Sequence, residues 1–200
     1  MRPAAEPGAL LEALRGALGA AAVVDGAALP EDHCTDWSGH APVRPLALLR
    51  PADTAQVATA LRICHVHHTP VVPQGGRTGL SGGAVPVAHG VVVSLERMQQ
   101  IGTVDRAGGC VTVEAGATLQ AVQEAAAAAD TELGLDLGAR GSCTIGGNIA
   151  TNAGGLNVVR FGMARDQVLG LEVVLADGTV LDMLRATPKN NTGYDLKQLF

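Results

Sequence analysis

Two glycine-rich segments contain the residues of this sequence that could do chemistry. The first covers residues 73–83, has the sequence PQGGRTGLSGG and follows a short apolar run. A backbone with so few side chains can turn several N–H groups towards one point and bind an anion. Thr78 and Ser81 add hydroxyl donors, so a diphosphate is the natural ligand. For this segment alone, an ordinary surface turn remains the alternative.

Familiar phosphate-binding motifs are absent from residues 73–83. The segment contains no G-x-x-x-x-G-K-[ST], which excludes a P-loop nucleotide site there. It contains no G-x-G-x-x-G either, so an ordinary Rossmann dinucleotide site is not supported. Any phosphate would therefore be bound by a different arrangement of backbone.

The second segment covers residues 135–155 and has the sequence LDLGARGSCTIGGNIATNAGG. Its small residues would let a flat heteroaromatic ring approach the backbone, and its amides and hydroxyls could bond the polar edge of that ring. Close packing of helices through glycine and alanine is the alternative. Two such segments in one domain favour a dinucleotide, because a dinucleotide needs both a phosphate cradle and a ring site.

The helices that would position these segments are indicated by apolar spacing and capping residues. Leucines at helical spacing predict a helix over residues 8–18. A second helix is predicted to begin with Asp53 or Thr54 as its N-cap and to end before Pro70. Thr118 is expected to cap a third helix over residues 119–129.

Short apolar or alternating runs predict the strands. These are expected at residues 21–24, 46–49, 71–73, 91–95 and 111–114. A hairpin with an Asp177-Gly178 turn is expected within residues 169–181. Because the order is not a regular alternation of strand and helix, we expect an α+β domain of two lobes, with the lobe boundary near residues 85–110.

Composition excludes several classes of function. Hydrophobic residues make up 47% of the 200 residues, which is enough for a core, and the core must be aliphatic because only four residues are aromatic. The net charge of −5, without a long basic run, argues against nucleic-acid binding. No stretch of 18 apolar residues predicts a transmembrane helix.

Four cysteines and the N-terminal residues bear on location. The cysteines are far apart and form no C-x-x-C pair, so we expect reduced thiols: Cys34, Cys64, Cys110 and Cys143. The first 24 residues lack the charged start and long apolar core of a leader peptide. Together these features predict a cytoplasmic location.

A dense group of Cys64, His65, His67 and His68 lies at the predicted end of the second helix. The spacing of Cys64 from His67 or His68 would suit a metal ion on one helical face. The favoured interpretation is simpler, since histidines near a helix C-terminus meet the favourable end of the helix dipole. We therefore predict no metal site.

Arg160 follows the second glycine-rich segment, and its side chain is equally suited to line a substrate cleft or to lie on the surface.

Four stretches of the sequence, with two weaker ones, make it similar to a known family. They are residues 73–83, 135–155, 168–182 (VLGLEVVLADGTVLD) and 191–200 (NTGYDLKQLF), with weaker matches at 35–37 and 51–73. These stretches resemble the FAD-binding domain of the vanillyl-alcohol oxidase or p-cresol methylhydroxylase type. Within that group the sequence is most similar to D-2-hydroxyglutarate dehydrogenase and the related glycolate and D-lactate dehydrogenases.

The resemblance implies which residues hold the cofactor. The FAD pyrophosphate would lie on the first segment, at Pro73, Gly75, Gly76, Arg77, Thr78, Gly79, Ser81 and Gly82. The ribityl chain and isoalloxazine would lie on the second, at Leu137, Gly138, Ser142, Thr144, Ile145, Gly146, Gly147, Asn148, Asn152 and Gly154. Some family members link the flavin covalently to His or Cys. Here Arg77 or Thr78 stands at one such position and Thr144 and Ile145 at the others, so noncovalent FAD is expected, with Cys143 as the remaining candidate for a link.

The resemblance also implies domains and a function. Residues 1–45 would be an N-terminal helix and lead-in loop, and residues 46–200 a two-lobed FAD-binding domain, incomplete at its C-terminus and without the substrate-binding cap domain. The expected reaction is oxidation of a D-2-hydroxy acid (2-hydroxyglutarate, lactate or glycolate), with an electron-transfer flavoprotein or a quinone as acceptor. The catalytic residues are not identified. A module that binds FAD without activity of its own is the alternative, and the FAD-dependent enolpyruvyl-sugar reductase is a weaker one.

Overall fold

The computed structural model of the chain describes residues 7–187 and 191–200. The described residues divide into two compact units. The first contains the chain up to Met98 together with Val174–Val180, and the second contains Gln99–Val173 and Leu181–Phe200. The chain therefore leaves the first unit, returns to it briefly and leaves it again.

A four-stranded sheet forms the centre of the first unit. Its strands are β1 (Val23–Asp25), β2 (Ala47–Leu49), β3 (Val71–Gln74) and β4 (Val91–Ser94). The spatial order is β1-β2-β4-β3; β1 is antiparallel to β2, and β4 is parallel to both of its neighbours. Strand β3 therefore lies at an edge of the sheet, and the first glycine-rich segment leaves its carboxyl end.

Two helices pack together in the core beside this sheet. They are α1 (Pro7–Leu18) and α2 (Thr54–Val66). Their buried side chains share one apolar cluster with alternate residues of β2 and β4: Leu10, Leu14, Ala47, Leu49, Ala60, Cys64, Val91 and Val93. Leu48 and Val92, which point to the opposite face, pack with Leu29 instead. Both faces of the central strands are thus buried, as is usual for parallel strands.

The second unit contains short helices and little regular sheet. Its helices are α3 (Leu119–Ala128), α4 (Ile145–Ala150) and α5 (Val158–Phe161). A small core of Leu119, Leu135, Cys143 and Ala164 joins the helices to the second glycine-rich segment. None of the helices in the described part of the chain has the length and apolar character that a bilayer crossing requires.

A hairpin formed by β5 (Leu171–Val174) and β6 (Val180–Met183) follows. Gly178 lies in its tip with φ of +83°, and the Gly178 N–H donates to the Leu175 carbonyl at 2.9 Å. A Cβ on Gly178 would lie 2.5 Å from the Ala58 carbonyl oxygen of α2. The predicted hairpin with its Asp-Gly turn is confirmed, and the tip packs directly on α2.

Two local predictions are wrong. Residues 111–114 do not form a strand, because the pairing of this region is limited to isolated bridges, Ile101 with Val113 and Asp105 with Cys110. The first strand begins at Val23 rather than at residue 21, since Ala20–Ala22 forms a 3-10 turn. The second glycine-rich segment, residues 135–155, contains the short helix α4.

Candidate functional site

The loop at residues 75–83, which connects β3 to the chain before β4, presents its backbone to the outside. Arg77 and Gly82 have positive φ, +56° and +77°. Among the residues that the structure describes, no acceptor in the protein takes a hydrogen bond from a backbone N–H of residues 75–83. A series of N–H groups without a protein partner, on a loop that bends through positive φ, is the arrangement that binds anions.

Gln74, the last residue of β3, closes the base of this loop. Its side chain is buried, and its Nε2 donates to the Ala84 carbonyl at 2.7 Å and to the His33 carbonyl at 3.0 Å. Because both amide hydrogens are used, Oε1 must be an acceptor, and it lies 3.0 Å from Nδ1 of His33. Arg77 Nη1 lies 3.5 Å from the same ring nitrogen, so the buried His33 ring connects Gln74 to Arg77.

Asp36 holds the same end of the loop from the other side. Its Oδ2 accepts from the Ala84 N–H at 3.3 Å, and its Oδ1 accepts from the Ser38 N–H at 2.9 Å. Burial on its own raises the pKa of Asp36, but these hydrogen bonds outweigh it, so the pKa lies below the ordinary 3.8. Asp36 is therefore ionised at neutral pH.

Arg77 supplies positive charge to the loop. Its guanidinium donates to Asp32 Oδ2 at 3.0 Å, and its carbonyl accepts from the Trp37 N–H at 3.2 Å. The side chain is about one-fifth exposed, 22%. The loop is thus tied to the segment around residues 30–40 at its middle as well as at its base.

The other predicted phosphate-binding residues lie around the open face of the loop. Gly75, Gly76 and Thr78 are half-buried, whereas Pro73, Gly79 and Ser81 are exposed. Gly82 packs against His40, and a Cβ there would lie 2.6 Å from the His40 ring. A Cβ on Gly79 would meet nothing within 4 Å, so the absence of a side chain at Gly79 leaves space for something outside the protein.

The second predicted segment is organised by α4 and the chain before α3. The N–H groups of Ile145 and Gly146, the first two residues of α4, donate to the carbonyls of Ala117 and Ala115, each at 2.9 Å. A Cβ on Gly146 would lie 2.7 Å from the Ala115 Cβ. This glycine is therefore required for the close approach of the two segments.

Thr144, the N-cap of α4, and Asn148, about one helical turn later, are both buried. Thr144 Oγ1 and Asn148 Nδ2 are covered and have no conventional hydrogen-bond partner. The neighbouring Cys143 thiol is a weak acceptor for the Asn148 amide; burial raises the pKa of that thiol, and Asn148 lowers it by less. These two polar atoms face the inside of the unit, so any ligand on this segment meets the backbone first.

The outer surface of the second segment is made of small residues and peptide groups. Gly138, Ser142 and Gly147 are exposed, and a Cβ on Gly138 would meet nothing within 4 Å. Asn152 adopts a φ of +48° and its Oδ1 accepts from the Arg165 N–H at 3.1 Å. Half-buried residues complete the segment: Leu137, Ile145, Gly146 and Gly154. Such a surface lets a flat ring approach the backbone closely, although several of its N–H groups, such as those of Ser142 and Asn152, already donate to carbonyls of the segment.

The group of Cys64 and three histidines at the end of α2 shows no sign of a metal site within the described residues. Burial raises the pKa of the Cys64 thiol to about 11, so this sulfur is protonated at neutral pH. Among the described residues, no three potential ligands stand close enough together to hold a metal ion.

Arg160 lies over the Phe161 ring, with its guanidinium carbon 4.8 Å from the ring centroid.

Residues 45–184 match the family model of the FAD binding domain. The chain belongs to this family. The match covers the first glycine-rich loop, the second segment and the hairpin. Asp36 and His33, which the structure places at the base of the loop, stand before the matched region, and nothing in the local sequence links them to Gln74.

Several curated proteins that are similar to this FAD-binding domain carry the names of 2-hydroxy-acid dehydrogenases. A probable mitochondrial D-2-hydroxyglutarate dehydrogenase of Oryza sativa is 52% identical over 165 residues, which are 82% of this chain and 30% of that protein. The bovine mitochondrial D-2-hydroxyglutarate dehydrogenase is 49% identical over the same shares. A Schizosaccharomyces pombe protein, provisionally named a mitochondrial D-lactate dehydrogenase, is 44% identical over 82% of this chain and 31% of its own. The chain thus spans about a third of the length of these relatives.

Solved structures show the same fold. An alkyldihydroxyacetonephosphate synthase matches with a TM-score of 0.85 and 18% identity, over 100% of this chain and 38% of that one. The 4-ethylphenol oxidase of Gulosibacter chungangensis matches with a TM-score of 0.76 and 22% identity, over 98% and 40%. The predicted α+β fold of the p-cresol methylhydroxylase type is confirmed.

The predicted cytoplasmic location is wrong. The rice, bovine and zebrafish relatives carry mitochondrial names. The four cysteines are free thiols, as expected. Free thiols do not identify one compartment, so this part of the prediction had no sufficient basis.

Proposed function

We propose that this FAD-binding domain holds FAD noncovalently, and that the protein oxidises a D-2-hydroxy acid to the 2-oxo acid. The observation that carries the proposal is the loop at residues 75–83, whose N–H groups have no acceptor in the described protein. Pyrophosphate oxygens are acceptors of the right charge, and Arg77 adds a cation beside them. The open space at Gly79 lets such a group approach the backbone.

The second segment is proposed to hold the flavin ring and ribityl chain. Its outer surface is peptide backbone at small residues, among them Gly138 and Gly147. Thr144 and Asn148 would support this surface from inside, since their polar atoms are covered. We keep the full set of predicted cofactor-binding residues as this proposal, with backbone groups rather than buried side chains as the contacts.

The proposal of noncovalent binding is supported by the groups that are available for a covalent link. The loop positions hold Arg77 and Thr78, neither of which forms a flavin link of the His or Cys type. Cys143 is 4% exposed and burial raises the pKa of its thiol, so it is a poor nucleophile at neutral pH. Neither segment therefore offers a reactive sulfur.

The substrate class is proposed from the relatives, whose names point to D-2-hydroxyglutarate and D-lactate. Glycolate is kept as a third substrate to test. When bound, FAD would accept a hydride at N5 from C2 of the hydroxy acid. The residues of this chain would bind and orient the cofactor, and an electron-transfer flavoprotein or a quinone is proposed to receive the electrons.

The first test is the visible absorption spectrum of the purified chain before and after acid precipitation. Yellow protein that releases its flavin into the supernatant is the expected result. Flavin that stays in the pellet would contradict noncovalent binding. With the complete gene product, D-2-hydroxyglutarate, D-lactate and glycolate are then tested for anaerobic bleaching of the flavin. A yellow protein that none of them bleaches would favour a module that binds FAD without this activity.

A substitution at Gly79 tests the position of the cofactor. The protein has room for a Cβ at Gly79, so Gly79→Ala should fold normally, but the methyl group would occupy the space proposed for the pyrophosphate. We expect FAD affinity to fall about tenfold or more, the equivalent of losing one charge-assisted hydrogen bond. Gly16→Ala, on α1 with equally open space, is the matched control. Unchanged FAD affinity in Gly79→Ala would refute the loop assignment.

A further inference from the structure

The end of the cofactor loop is held by side chains rather than by secondary structure. Residue 84 closes the loop, and both of its backbone groups are bound by side chains: the N–H by Asp36 Oδ2 at 3.3 Å and the carbonyl by Gln74 Nε2 at 2.7 Å. Gln74 stands immediately before the loop and Ala84 immediately after it. The two ends of residues 75–83 are therefore joined by one amide side chain.

The polar atoms of Gln74 and Asp36 are all used in hydrogen bonds within the protein. Gln74 is 1% exposed, and its second amide hydrogen and its oxygen are bound to the His33 carbonyl and ring. Asp36 is 8% exposed and also accepts from Ser38. Neither side chain is free to contact a ligand. Any influence that they have on a cofactor must pass through the shape of the loop.

We propose that Gln74 and Asp36 are positioning residues that close the loop in its anion-binding shape; the consequence for FAD rests on the proposed function. Residues 75–83 donate no backbone hydrogen bond within the described protein, and their middle is held only through Arg77, which pairs with Asp32 and accepts from the Trp37 N–H. Without the clamp formed by Gln74 and Asp36, the two ends of the loop would sample more shapes. A loop that is ordered before the ligand arrives binds it more tightly, because the ordering entropy is already lost. The clamp supplies that order at the ends of the loop.

The test uses trypsin, which cuts after Arg77 in the middle of the loop. Asp36→Asn keeps the size of the side chain but leaves a single acceptor oxygen for the two N–H groups, of Ser38 and Ala84, that now donate to the carboxylate. Gln74→Met removes both amide donors and keeps an unbranched, buried side chain. Asp53→Asn is the matched control, since Asp53 also accepts a backbone N–H, from Gln56 at 2.7 Å, but caps α2. Melting temperature and the rate of cleavage after Arg97 report general loss of stability.

We expect cleavage after Arg77, relative to cleavage after Arg97, to rise about tenfold in Asp36→Asn and Gln74→Met, and not in Asp53→Asn. FAD affinity should fall about tenfold in the same two variants. Equal cleavage ratios in all three variants and the wild type would overturn the proposal. If the two variants are cleaved faster after Arg77 but the wild-type chain binds no FAD, the role of Gln74 and Asp36 in ordering the loop would be supported and the proposed function would be refuted.

Discussion

Gly146 and Gly147 are neighbours in α4, yet the structure predicts different outcomes when each is replaced by alanine. A Cβ on Gly146 would lie 2.7 Å from the Ala115 Cβ and 3.0 Å from the Ala115 carbonyl oxygen, and neither atom can rotate away. Overpacking of this kind costs about 1–3 kcal/mol. Replacing glycine in a helix returns about 0.5–1 kcal/mol. The free energy of unfolding should therefore fall by up to about 2.5 kcal/mol in Gly146→Ala.

Gly147→Ala is the internal control. Its Cβ would meet only the Thr144 hydroxyl oxygen, at 3.3 Å, and a hydroxyl can shift by a few tenths of an ångström. Because the helix gain of about 0.5–1 kcal/mol applies here without overpacking, its free energy of unfolding should equal that of the wild type or exceed it by up to about 1 kcal/mol. The two variants share the helix gain and therefore differ by the overpacking, about 1–3 kcal/mol. In thermal unfolding followed by circular dichroism, about 1 kcal/mol corresponds to about 2–4 °C at this chain length, so Gly146→Ala should melt about 2–12 °C below Gly147→Ala. Equal melting temperatures for the two variants would refute the argument from Ala115.

Two further predictions concern titratable groups. In the native protein, iodoacetamide at pH 8 should label Cys110 first, because it alone is half-buried while the other three thiols are buried, and mass spectrometry should show four adducts only after denaturation. Asp36→Asn should lower the free energy of unfolding at neutral pH, and the difference from wild type should shrink as the pH falls below 3.8. The pKa of Asp36 is lower in the folded than in the unfolded protein, so the carboxylate stabilises the folded state at pH values above the unfolded pKa. This stabilisation is lost as the carboxylate is protonated, and urea unfolding of both proteins at pH 7, 5 and 3 would measure the loss.

Local signals predicted the helices that begin with a cap. Asp53 accepts from the Gln56 N–H and Thr118 accepts from the Ala121 N–H, as expected from their positions before apolar helical spacing. Such caps depend on residues three positions apart, so a short stretch of sequence contains all the information. The aliphatic strands Val91–Ser94 and Ala47–Leu49 were predictable for the same reason.

Features that depend on distant partners were not predictable. Helix α4 contains two adjacent glycines and has a low helical propensity of its own, but the carbonyls of Ala115 and Ala117 take its first N–H groups. Residues 111–114 alternate as a strand would, yet find only isolated bridges. Gln74 and Asp36 meet at Ala84 although they are 38 positions apart in the chain, and no pattern in either segment announces the contact.

The tip of the β5–β6 hairpin has a consequence for how the chain is made. Residues Val174–Val180 belong to the first unit, and Gly178 packs on α2 so closely that a Cβ would strike the Ala58 carbonyl. The first unit is therefore discontinuous in sequence. A growing polypeptide cannot complete it when Met98 has been synthesised and must wait until residue 180 has emerged. Until then the surface of α2 around Ala58 and Arg62 stays uncovered, so the last part of the first unit to be made is also the part that closes this helix face.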